Sequence, residues 1–93
     1  IMTALAYDVR VVKFFPASCY GGLKTIESLA APFSQLRFMP TGGVNASNLQ
    51  TYLQSDKIIA CGGSWMVKEN LMREKKFDEI RRLTEEAVAL TKI

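Results

Sequence analysis

Three times along this chain a short apolar run is followed by a turn and then by apolar residues at helical spacing, and few folds accommodate that order. Val9 to Phe15 is β-branched and aromatic, carries only Arg10 and Lys13 as charges, and is closed by Pro16, as a buried parallel strand would be. Gly21 and Gly22 follow, and then Leu23, Ile26, Leu29 and Ala30 recur at helical spacing until Pro32. The second cycle reads Leu36 to Met39 as strand, Pro40 to Val44 as loop, Asn45 as candidate N-cap, and Leu49, Tyr52 and Leu53 on one helix face. The third reads Ile58 to Cys61 as strand, Gly62 and Gly63 as turn, and a short helical piece from Ser64. A last helix is expected from Asp78 as cap, with Ile80, Leu83, Ala87 and Leu90 forming its apolar stripe. Ile1 to Tyr7 holds good helix formers without a preceding cap, and reads as the tail of a helix.

Parallel strands need crossover connections and helices supply them, so the order predicts an α/β architecture with a parallel sheet. Three such strands leave two edges unpaired and bury neither face fully. Eight cycles of this kind close a barrel in about 250 residues. The chain therefore reads as the C-terminal three β/α units of a TIM (β/α)8 barrel, one portion of a single domain whose N-terminal strands are absent. An open three-stranded fragment is the alternative.

With 93 residues, 48% hydrophobic and 23% charged, the chain has the composition of one globular unit, and its core alone is expected to be marginal. The net charge is +3, with basic residues scattered apart from the run Arg73 to Lys76, so no nucleic-acid partner is expected. A diffuse positive field still favours an anionic substrate. There is no histidine, and Cys19 and Cys61 form no metal or redox motif, so neither a metal, a cofactor nor His-based catalysis is expected. The apolar runs are too short to span a membrane, and a reducing cytoplasm is the expected setting.

Lys13 is the residue with the clearest chemistry. Alternation puts it on one strand face with Val11 and Phe15, leaving Val12 and Phe14 toward the helices. An amine among apolar side chains loses hydration of its charged form, which raises its neutral, nucleophilic fraction, the requirement for imine formation. The competing reading is a lysine near a strand end that reaches solvent. Thr41, Gly42 and Gly43 follow the second strand, and Gly62, Gly63 and Ser64 the third, at the strand ends where barrel active sites lie. Paired glycines let backbone N–H groups approach an anion, and a helix starting at Ser64 would aim its dipole there. Tight turns with no ligand are the alternative.

The run from Lys13 to Ala17 (KFFPA), then Pro40 to Gly43 (PTGG), then Gly62 to Trp65 (GGSW) resembles the 2-keto-3-deoxy-6-phosphogluconate aldolases, also described as 4-hydroxy-2-oxoglutarate aldolases. The resemblance runs from about Ala4 to the C-terminus. It implies a class I aldolase of the Entner–Doudoroff pathway acting on a small keto-acid phosphate, assembled as a homotrimer. It also implies that Lys13 is the Schiff-base lysine on the sixth strand and that Thr41, ending the seventh, contacts the pyruvate moiety. By the same resemblance Phe15 and Pro16 shape the pocket, and Gly42, Gly43, Gly63 and Ser64 bind phosphate. Trp65 is expected to pack.

The resemblance further implies that a general acid/base glutamate and a carboxylate-binding arginine lie in strands outside this chain. The acidic residues present fall on predicted helices, outer loops or the far strand end, as Asp8 does. Two rival readings remain open. One is a phosphosugar isomerase or synthase on the same barrel; the other is a non-catalytic half-barrel that binds phosphate or complements another chain.

Overall fold

The computed structural model describes residues 1–92, and within them the first two predicted cycles are present and the third is changed. Helix α1 (Met2–Ala6) leads into strand β1 (Val11–Phe14), a 3-10 turn (Ala17–Tyr20) and helix α2 (Gly22–Ala30). Strand β2 (Arg37–Pro40) and helix α3 (Leu49–Leu53) follow, then a 3-10 turn (Trp65–Val67) and helices α4 (Glu69–Arg73) and α5 (Phe77–Leu90). β1 and β2 pair in parallel with Lys13 opposite Met39, joined by α2 as the crossover. The architecture is α/β with a parallel sheet.

The change concerns the third strand. Ile58 to Cys61 forms no regular strand; only two parallel bridges tie this stretch to β2, Phe38 with Ile58 and Thr41 with Gly62. The first bridge is regular, with Phe38 N–H donating to Lys57 O at 2.7 Å and Ile59 N–H to Phe38 O at 3.1 Å. At the next step Pro40 has no N–H to donate, and Gly62 N–H instead reaches Pro40 O at 2.9 Å. Between the bridges, the step from Ile58 to Gly62 is one residue longer than that from Phe38 to Thr41, a bulge in all but name. The extra residue turns Cys61 to the helix side, where it packs on the core.

That core lies on one side of the sheet. Phe38, Leu36, Ile26, Ala30, Val44, Leu49, Tyr52 and Ile58 are buried together, with Val12 and Phe14 packed against them. Phe14 meets both Phe38 and Tyr20 edge to face. The alternation along β1 is therefore as expected: Val12 and Phe14 face the helices, while Val11, Lys13 and Phe15 lie on the open face. Two helix starts differ by a few residues. Asn45 begins a turn rather than capping α3: its Oδ1 accepts from Ser47 N–H at 2.8 Å, and the helix opens at Leu49. Asp78 sits inside the first turn of α5, whose N-cap is Lys76. The exposed ion pairs of α5, Arg81 with Glu85 and Arg82 with Glu79, add little to stability.

Burial pushes the Cys61 thiol up from 9.0 to about 11 and raises Tyr52 as well, with Cys61 a lesser cause of the latter. Folding favours the neutral thiol, so its contribution to stability is intact below pH 9 and is lost as pH rises through about 11, because the unfolded chain releases its proton first. In the full-length protein the thermal midpoint is expected to fall by a few degrees more over this window than it does in Cys61→Ala, as measured by calorimetry. Parallel curves for the two proteins would count against it.

Candidate functional site

The open face of the sheet holds Lys13, the residue singled out from the sequence. Val11, Lys13 and Phe15 share it with Arg37 and Met39 of β2 and with Thr41 just after it, because side chains two apart point the same way and the register sets Lys13 beside Met39. Thr41 lies one pleat further along, with its Cα roughly 8 Å from that of Lys13 by strand rise and spacing. The Lys13 ammonium rests 5.1 Å from the centre of the Phe15 ring, a cation–π contact on an exposed surface. Val11 is 41% exposed and Phe15 60%. The apolar surroundings expected from the strand are thus present on one side only.

At the C-terminal strand ends the backbone is held closely. Thr41 N–H donates to Phe14 O at 3.0 Å, and Thr41 O accepts from Ala17 N–H at 2.8 Å. Gly42 and Gly43 have φ of 99° and 77°, a conformation open to glycine and strained for other residues. A side chain on Gly42 would also meet the Pro16 Cα at 3.0 Å. Pro16, which follows a cis peptide bond, therefore abuts the Gly42 turn, whereas Phe15 lies beside the lysine.

Gly63 leaves no room for a side chain over the Trp65 ring, and Trp65 itself is half-buried against the core. The helix expected at Ser64 is a three-residue 3-10 turn. So short a turn sums few peptide dipoles, and the dipole part of the expectation falls away. What remains is the set of amides. Among the described residues, the N–H groups of Gly42, Gly43, Gly63 and Ser64 donate to no protein acceptor. They leave adjacent strand ends, just beyond the bridge between Thr41 and Gly62.

Gly62 was not among the predicted site residues. A Cβ there would come within 2.8 Å of Thr41 Oγ1, so its bare backbone is what lets the threonine side chain keep its place. The spacing of Thr41 and Gly62 along the chain carries no trace of this contact, since it depends on the extra residue before Gly62.

Comparison with known proteins points to one family. The family described as KDPG and KHG aldolase matches residues 1–83. The 2-dehydro-3-deoxy-phosphogluconate aldolase of Haemophilus influenzae is 45% identical over 92 residues, 99% of this chain and 43% of the relative. Among solved structures, the 2-keto-3-deoxy-6-phospho-gluconate aldolase of Zymomonas mobilis superposes with a TM-score of 0.87 at 37% identity, covering 97% of this chain and 42% of that one. The KDPG aldolase of Legionella pneumophila, solved with pyruvate captured as a covalent carbinolamine intermediate, gives 0.83 at 34% identity, over 96% of this chain and 42% of its own. The chain thus spans less than half the length of the curated relatives it matches. With the family matching residues 1–83 and a relative 45% identical over 92 residues, the chain belongs to the KDPG and KHG aldolase family.

Proposed function

We propose that the complete protein is a class I aldolase. It cleaves 2-keto-3-deoxy-6-phosphogluconate to pyruvate and glyceraldehyde 3-phosphate, and 4-hydroxy-2-oxoglutarate to pyruvate and glyoxylate, and this chain supplies the last three β/α units of its barrel. The observation that carries this reading is the group of four unengaged amides at the strand ends beside the face that holds Lys13 and Thr41. An anion gathered there leaves the keto-acid end of the substrate toward the lysine. The carbinolamine trapped in the Legionella relative supports the same role for an amine. The homotrimer rests on the resemblance, and the cytoplasmic setting on the free thiols of Cys19 and Cys61.

In this reading the neutral Lys13 Nζ adds to the C2 ketone, and loss of water leaves a protonated imine. The C3–C4 bond breaks as the C4 hydroxyl gives its proton to a base, and the imine takes up the electron pair. Glyceraldehyde 3-phosphate departs, the enamine is protonated on carbon, and water releases pyruvate and the free amine. Thr41 would hold the pyruvate part, and Gly42, Gly43, Gly63 and Ser64 the phosphate. The proton-moving group comes from strands outside this chain, and is worth about 10²–10⁴-fold. Full-length protein given either keto acid, with pyruvate followed through lactate dehydrogenase, is expected to show saturable release. No pyruvate from either substrate overturns the reading.

A further inference from the structure

The hydroxyl of Ser18 hangs over the turn that follows β2. The chain leaving β1 runs beside the chain leaving β2: Ala17 N–H donates to Thr41 O at 2.8 Å and Ser18 N–H to Gly42 O at 3.3 Å. This pairing sets Ser18 in the space where a side chain on Gly43 would project, its Cα 3.8 Å from that point. Among the described residues Oγ has no hydrogen-bond partner, and the residue is exposed. The nearest backbone at that point is the Gly43 turn, whose amide is also unengaged. A hydroxyl that can rotate, anchored by its own backbone beside free N–H groups, is a donor waiting for an anion.

We infer that Ser18 is a specificity-determining residue: it donates a hydrogen bond to the phosphate end of the substrate and so favours a phosphorylated keto acid over an unphosphorylated one. The inference rests on the aldolase reading for its substrates, though not for the anion contact itself. Ser18 lies past the strand end, beyond Thr41 as seen from Lys13, so it meets the distal end of a bound chain and leaves imine formation alone.

The test uses full-length protein with Ser18→Ala and Ser18→Asp. Losing one hydrogen bond to a charged acceptor is expected to lower kcat/KM for 2-keto-3-deoxy-6-phosphogluconate about tenfold or more. The carboxylate of Ser18→Asp, repelled by the phosphate, should lower it by about 100-fold. With 4-hydroxy-2-oxoglutarate both variants should stay within about twofold of the parent, which also shows that they fold. Binding of inorganic phosphate, followed by calorimetry, should weaken in step. Equal losses on both substrates, or no loss on either, overturn the inference while pyruvate trapping at Lys13 leaves the aldolase reading standing. Phosphate binding weakened by Ser18→Ala in a protein that forms no imine would sustain the contact and sink the aldolase.

Discussion

Replacing Lys13 by arginine in the full-length protein is expected to remove turnover, by at least about 10³-fold and in the range that loss of a nucleophile produces elsewhere. Arginine keeps the positive charge and can lie over the Phe15 ring as the ammonium does, so the fold and the attraction for an anionic substrate survive. What it cannot do is shed its proton, and a guanidinium that stays protonated adds to no ketone. The companion measurement is chemical. Pyruvate with borohydride should leave a reduced pyruvyl group on Lys13 of the parent protein, found by peptide mass, and none on the arginine variant. Labelling at Lys24 or Lys57 instead would show that the amine has been misassigned.

The second large effect is one of folding. Expressed alone, these 93 residues are expected to unfold at low denaturant or aggregate, and to cleave neither keto acid; supplied with the N-terminal strands of the same protein, they should regain structure and cleavage together. The radius of gyration is 15.0 Å, against about 12 Å for a compact domain of this length. One sheet face is open, with Phe15 60% and Ile59 58% exposed. The free side of the Ile58–Gly62 stretch borders an apolar recess of about 420 Å³ lined by Leu53, Ile58 and Ile59 among others. Unpaired strand edges beside apolar surface invite association. Circular dichroism with urea titration, and light scattering, would follow the first half; a coupled assay on co-expressed halves would follow the second. A piece that stands alone, monomeric and active, would mean that the proton-moving group lies within it.

Much of the site was legible because its parts depend on local rules. Period-two alternation in β1 was enough to separate Lys13 and Phe15 from Val12 and Phe14. Glycine pairs after β2 marked a turn that needs positive φ, and Gly42 and Gly43 adopt it. The elements that escaped are those set by contacts across the chain. The second and third apolar runs look equally strand-like, yet only the absent N–H of Pro40, acting on a neighbour some twenty residues on, breaks the pairing of the latter. Ser64 looked like a helix start, but the ring of Trp65 folds back under Gly63 and the chain closes a single 3-10 turn. Ser18 carried no signal at all until the ladder between the two loops put it over Gly43.

The irregular step between Ile58 and Gly62 sets a condition for anyone who would graft this site onto another barrel. The motif from Gly62 to Trp65 is in phase with β2 only because the chain bulges to take up the one extra residue between the bridges on its side. Moved into a regular strand with no bulge to absorb that residue, the same four letters would fall half a pleat out of step. The glycine that clears space for Thr41 would then face the helices, and Cys61 would crowd the threonine in its place. The portable unit is therefore longer than the motif: it begins at Ile58, and it travels with Pro40 on the strand beside it.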